Sequence, residues 1–391
     1  MIYTSNDTLP QTLLLGMAFS GTDVIIGDDG YQLFLKTPGN TLKPGMDGSY
    51  VTINAENGIW EIGTDFGGYS RLYYYEHGDH WAISNSFYDL SEHLSANNFP
   101  MSAYLPGAGG MRISGALGQQ PLSDRTPITE IRLLPRSQMI RICPQAERGQ
   151  FQRVPAPHDA EGLDSLEASY EDGVRRYIKT WIGRYVTILN SDIHLTCDVT
   201  GGLDSRTNLA LLLRAAKVAD VDLASTVHFN SNSGLKRDRM ISELIAKHFN
   251  FPIGLASTKD YRRIDLHDSY QIWKSHYLHS YWPVYFPTVV RSDKHFWTGG
   301  FGGGAHRWVT VIGGAQTVTK ALERKRDAFP IADQFDGLIS DVEACISELT
   351  ADKNQPQNTI VCHFRNFRER FHHGRRSQHI NSLSPLAGAG L

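Results

Sequence analysis

A chain of 391 residues exceeds what one ordinary hydrophobic core holds, and predicts two domains. Its 41% hydrophobic and 20% charged residues are those of a soluble globular protein, and 38 basic against 41 acidic side chains exclude a dominant nucleic-acid or membrane surface. The four cysteines, Cys143, Cys197, Cys345 and Cys362, form no C-x-x-C pair, which argues against a zinc ribbon or disulfide framework and for a reducing, cytoplasmic setting.

In chain order, residues 1–16 lack the basic start and long apolar stretch of a signal peptide, and no run approaches the ~18 apolar residues of a spanning helix. Up to about residue 155 the chain is rich in Gly, Tyr and Ser. Short runs at 24–26, 48–53, 71–75 and 81–84 read as strands, with 27–30 and 76–79 as turns, and 132–135 followed by 138–142 closes the region with another strand. This predicts an antiparallel-sheet domain over 1–155. After Pro155-Ala156-Pro157 the pattern changes. Tyr170, Val174, Tyr177, Trp181 and Tyr185 recur at helical spacing within 163–189. Strand 193–199, helix 205–216, strand 221–229 and helix 237–249 then alternate, which predicts a parallel sheet covered by helices over 156–391.

The densest chemistry lies where the first of these strands meets its helix, at Thr200-Gly201-Gly202-Leu203-Asp204-Ser205. Two glycines allow a tight turn with amides free to approach a phosphate. Thr200 and Ser205 supply hydroxyls, and the helix start favours an anion. Asp204 would repel a phosphate unless it held a cation, so its role is to ligate Mg²⁺ carried by ATP. The residues alone leave an ordinary capped turn as the alternative.

The loop resembles the S-G-G-x-D-S loop of the asparagine synthetase family, with Thr200 keeping the hydroxyl of the first Ser. Gly68-Tyr69-Ser70-Arg71-Leu72-Tyr73-Tyr74 and Trp81-Ala82-Ile83-Ser84-Asn85 are similar to segments of that family's glutamine amidotransferase domain, and residues 126–135 to the stretch before its last strands. The resemblance implies an N-terminal Ntn-hydrolase-like sandwich (1–155) followed by an adenine nucleotide α-hydrolase-like ATP-pyrophosphatase domain (156–391). It implies that Val199 and Val227 flank adenine and ribose, that Thr298-Gly299 forms the hydroxyl–glycine pair of the third strand, and that Asp238 supplies the acidic residue after the second. ATP and Mg²⁺ are the implied cofactors, Asp204 and Ser205 the implied catalytic residues. The implied partners are a small-molecule or peptide carboxylate and an amine, with no nucleic acid and no membrane.

Three departures redirect that expectation. The family's glutaminase uses an N-terminal cysteine whose own amine is the base, whereas Ile2 and Tyr3 stand here, so the first domain is expected to be structural, as in the related β-lactam synthetases. Thr298-Gly299-Gly300-Phe301-Gly302-Gly303-Gly304-Ala305 replaces an S-G-E-G-A-D-E run and carries no carboxylate, leaving Asp293 as a substitute without spacing support. Leu383-Ser384-Pro385-Leu386 is similar to the family's S-P-F-L-D segment, but Ala387 follows, and the family's catalytic lysine has no counterpart; Lys236 and Lys294 read as surface residues.

Two further stretches carry a functional and a plain reading. The basic segment from His363 to Arg376 could clamp pyrophosphate through Arg368, Arg375 and Arg376, but reads first as a solvated helix face. The aromatic stretch His276, Tyr277, His279, Tyr281, Trp282, Tyr285 and Phe286 could line an acceptor pocket, but reads first as core; His276 and His279 lack a third metal ligand. The functional expectation is an ATP-dependent amide ligase without its own glutaminase. Its alternatives are a catalytically degenerate nucleotide- or partner-binding protein, and one subunit completed by another.

Overall fold

A computed structural model describes residues 1–143, 150–157, 169–231, 235–254, 261–279, 286–287, 289–292, 294–300, 308, 312, 314–350, 359–374, 381–383 and 385–387. It is a mixed α/β structure with several sheets, one of them parallel. Among the described residues, no helix is long and apolar enough to cross a membrane.

Most of the first 155 residues form two antiparallel sheets. The larger runs in the order β10 (Gln150–Pro155), β9 (Gln138–Cys143), β5 (Ile59–Thr64), β4 (Gly48–Glu56), β2 (Thr12–Ser20), β3 (Asp23–Ile26). The smaller runs β1 (Ile2–Thr4), β7 (His80–Ser84), β6 (Tyr73–His77), β8 (Ile131–Leu133). Side chains alternate between faces along a strand. Val51, Ile53, Ile62 and Ile140 therefore meet Tyr74, Trp81 and Ile83 in a core between the sheets. The outer face of the smaller sheet sends Tyr73, Tyr75, Ile131 and Leu133 against α2 (Phe87–Ala96) and against Phe367 and Phe371 from the far end of the chain. The outer face of the larger sheet packs Leu14, Ala18, Ile25 and Tyr50 on Tyr31 of α1 (Gly27–Leu35). Residues 27–30, which read as a turn, are thus the first turn of α1, because burying Tyr31 outweighs the turn preference of Gly and Asp. A short α3 (Leu105–Gly110) follows α2.

The parallel sheet has the order β12 (Val227–Asn230), β11 (His194–Asp198), β15 (His295–Thr298), β16 (Asn381–Leu383). A separate antiparallel ribbon joins β13 (Tyr261–Arg263) to β14 (Val289–Arg291). Leu195, Cys197, Val227, Phe229 and Phe296 pack against α4 (Tyr170–Leu189), α5 (Leu203–Ala219) and α7 (Lys236–Phe249) in one apolar cluster that also takes in Met17 and Phe19 of β2. The strand expected over 221–229 begins only at Val227, because Asp222 accepts the Ala224 amide at 3.2 Å and caps a helical turn, α6 (Leu223–Thr226). Helix α8 (Leu266–Tyr277) lies against α2. Helices α9 (Val318–Glu323) and α10 (Phe335–Leu349) share a cluster with Ile113, Leu117 and Leu122.

One buried ion pair joins the two parts. Arg184 of α4 donates through Nη1 to Asp47 at 2.7 Å and through Nε to the Gly21 carbonyl at 2.9 Å, and it stacks over Phe19 and Trp181.

The basic segment departs from its expected place. Helix α11 (Thr359–His363) continues as a π-helix, Phe364–His373, with Phe364, Phe367 and Phe371 buried. Arg370 is only 1% exposed, so this is an interior element and not a solvated face. Arg375 and Arg376 lie outside the described residues, as do Tyr281, Trp282, Tyr285, Asp293, Phe301, Gly302, Gly303, Gly304, Ala305, Ser384 and residues 163–168.

Candidate functional site

From β11 the chain runs outward to β12 on one side, whereas β15 and β16 lie on the other. The order reverses between β11 and β15, and in an open parallel sheet such a switch point opens a crevice at the carboxyl ends of the strands. The loop 199–205 sits at that end.

Val199 is fully buried; its amide donates to the Asn230 carbonyl at 2.9 Å and its own carbonyl accepts from Ser242 of α7 at 2.9 Å. Thr200 Oγ1 lies 2.8 Å from Ser205 Oγ and accepts the Gly202 amide at 3.2 Å. Ser205 Oγ accepts the Thr200 amide at 3.2 Å and lies within 3.2 Å of the carbonyls of Thr200 and Gly202. The two hydroxyls thus brace the loop from inside. Gly202 is the cap residue of α5, so the amides of Leu203, Asp204 and Ser205 have no acceptor within the helix by position. They give this end of α5 the character of an anion site.

Two glycines let neighbouring elements close on the loop. A Cβ on Gly201 would fall 2.6 Å from Asp238 Oδ1, which brings a second carboxylate, from the first turn of α7, beside the loop that carries Asp204. A Cβ on Gly300 would fall 2.7 Å from the Ser205 amide nitrogen, so the chain leaving β15 lies on the first turn of α5. Oxygen donors from one or two carboxylates, with phosphate supplying the rest, suit Mg²⁺, and Asp204 and Asp238 meet that description.

Thr298 is buried and ties β15 to two helices, sharing its hydroxyl with Tyr185 of α4 and with Asn208 of α5 at 3.1 Å. Gly299 follows it, also buried. Val227 does not join this group. It pairs with Leu195 at the amino end of β12 and lines a separate cavity of about 330 Å³ with His194, Thr196, His228 and His295. The carboxyl end of β12 is Asn230. Its side-chain amide donates to Asp198 at 2.9 Å, and Trp297 Nε1 reaches the same carboxylate at 2.7 Å from β15. This three-strand network borders the crevice. Its only trace in the sequence is a polar residue closing two of the apolar runs.

Other side chains singled out from the sequence lie apart. Arg368 donates to Gln119 and Gln120 at 2.7 and 3.0 Å. Lys294 pairs with Asp192, and Lys236 is exposed. Burial pushes the Cys197 thiol up, so it is no thiolate nucleophile. His276 and His279 are held far below the usual imidazole range, at about 4 and about 3, first by burial and also by Arg71. Among the described residues no cluster of three or more His, Cys, Asp or Glu could hold a metal.

No family model matches the chain, and no curated protein does. Among solved structures it is similar to a glutamine phosphoribosylpyrophosphate (PRPP) amidotransferase from B. subtilis complexed with ADP and GMP, at 10% identity and a TM-score of 0.19. The match covers 73% of this chain and 51% of that one, so the chain spans about half the length of that protein.

Proposed function

We propose that the protein is an asparagine synthetase-like, ATP-dependent amide ligase that adenylylates a carboxylate for attack by an amine and has no glutaminase of its own. The observation that carries this reading is the braced loop 200–205 at the head of α5, placed at the switch point of the parallel sheet. In this reading residues 1–155 form a degenerate Ntn-type amidotransferase layer and residues 156–391 the ATP-pyrophosphatase unit.

The substrate carboxylate attacks the α-phosphorus of ATP, an acyl-adenylate forms and pyrophosphate leaves. The amine then displaces AMP and gives the amide. Loop amides aimed at the departing phosphates stabilise charge where it develops, in a frame that needs no rearrangement. Asp204 and Asp238 would hold Mg²⁺, which supplies neutralisation of the pyrophosphate charge.

The test is pyrophosphate release with ATP, Mg²⁺ and a panel of amino acids and peptides. Acceptor-dependent release is expected, and Asp204→Ala should abolish Mg²⁺-dependent nucleotide binding. Absence of ATP binding by the wild-type chain ends the proposal. A second reading, nucleotide or partner binding without turnover, draws on one observation: Lys294 and Arg368 are each engaged away from the loop. Tight ATP binding with no turnover on any acceptor selects it.

A further inference from the structure

Arg71 and Arg370 are 2% and 1% exposed and belong to distant parts of the chain. Arg71 reaches the His276 carbonyl through Nη1. Arg370 donates through Nε to the Gly68 carbonyl at 2.7 Å and through Nη1 to the Leu134 carbonyl at 2.9 Å. Gly68 makes this possible: at φ +62°, a Cβ there would fall 2.8 Å from Arg370 Nε. Both guanidinium groups flank the Phe371 ring, with Cζ at 5.1 and 5.6 Å from its centroid. Both also act electrostatically on the buried Tyr73 phenol, whose ring lies 5.9 Å from that of His279.

Among the described residues, Nη2 of Arg370 and one edge of Arg71, Nε and Nη2, are sealed from solvent with no hydrogen-bond partner, and the sealed Tyr73 hydroxyl lies against the Arg71 guanidinium. Nε and Nη2 are the two parallel donors of one guanidinium edge, the edge that grips anions. Among the described residues neither arginine forms a salt bridge. Asp65, which acts electrostatically on Arg370, accepts the amides of Tyr50, Tyr69 and Ser70 at 3.3, 2.9 and 2.9 Å. Asp65 acts on Arg370, and Glu369 on Arg136 and Arg365, whereas the groups acting on Arg71 are the phenols of Tyr73 and Tyr277. A buried charge without a counter-charge is expensive, and so is each buried donor without an acceptor. A single small anion answers both deficits.

We infer that the chain holds a buried monoanion of about chloride size between Arg71, Tyr73 and Arg370, where the π-helix meets the smaller antiparallel sheet. The ion seals that junction and takes no part in chemistry at the loop.

The test is thermal unfolding of the full chain while chloride replaces gluconate at constant ionic strength. A saturable rise in Tm of about 2–4 °C is expected, matched by bromide and nitrate. The rise should disappear in Arg71→Met, and also in Tyr73→Phe, which removes one hydroxyl and tests the site even where the arginine variant does not fold. Diffraction from bromide-grown crystals should place an anomalous peak beside the two guanidinium groups. Equal Tm in chloride and gluconate overturns the inference, as does an unchanged chloride effect in Tyr73→Phe or a water peak at that point.

Discussion

Replacing Gly300 by alanine tests the candidate site most directly. The added Cβ would lie 2.7 Å from the Ser205 nitrogen and 3.2 Å from Asp204 Cβ, where ordinary contact begins at 3.4 Å, so the chain must retreat by about 0.7 Å. Both obstacles belong to the first turn of α5, not to the free end of a flexible side chain, and they cannot swing aside. Two residues upstream, the shared hydrogen bonds of Thr298 with Tyr185 and Asn208 resist the retreat. Overpacking of this kind costs about 1–3 kcal/mol. The same shift moves the amides that would hold phosphate, and ATP affinity should fall about tenfold or more, a loss of ~1.4 kcal/mol or greater. Urea unfolding and calorimetric titration with ATP and Mg²⁺ measure the two effects, with Gly254→Ala as control because nothing lies within 4 Å of its added carbon. An alanine variant with the wild-type unfolding midpoint and wild-type ATP affinity would falsify the close approach of the β15 exit to α5.

Two further outcomes concern the frame. Arg184→Met removes the buried ion pair with Asp47, and stability should drop by about 3–5 kcal/mol; Arg184→Met with Asp47→Leu should recover part of it, and no recovery would mean that the arginine's carbonyl bond and ring stacking matter more than the ion pair. Stability should also fall on acidification from pH 6.5 towards 4. Burial holds His276 and His363 at about 4 and His279 at about 3, so their contribution is present above ~6.5, the unfolded value, and is lost as pH falls through the folded ones. Asp65 acts in reverse: burial raises it to about 6, so its contribution is present below the unfolded value and lost as pH rises through 6. Burial raises Glu369 as well, so three histidines stand against two carboxyls, and the net uptake on unfolding near pH 5 is about one proton, or on the order of 1 kcal/mol per pH unit. Urea midpoints at pH 5 and 6 read that slope, and equal midpoints would contradict it.

The loop was legible because its chemistry is local: six consecutive residues carry the turn, the hydroxyls and the carboxylate. Helices α4, α5 and α7 were legible from apolar spacing, and β9 and β11 from short apolar runs. What escaped depends on partners remote in the chain. The spacing of Phe364, Phe367 and Phe371 is helical, yet nothing beside Arg370 announces that its acceptors are the carbonyls of Gly68 and Leu134, 302 and 236 positions away. Asp198 looks like a strand-ending polar residue until Asn230 and Trp297 arrive from two other strands. Val227 opens its strand because the helical turn capped by Asp222 consumes the residues expected to precede it.

Arg184 and Tyr185 are neighbours in sequence, about 100° apart around α4. The first grips the antiparallel layer at Asp47 and Gly21; the second grips Thr298 and Asn208 beneath the loop. Helix α4 therefore works as a torsion bar with a clamp at adjacent points of its girth. The two grips share one rigid helix, so the antiparallel layer and the end of β15 are braced against a common support.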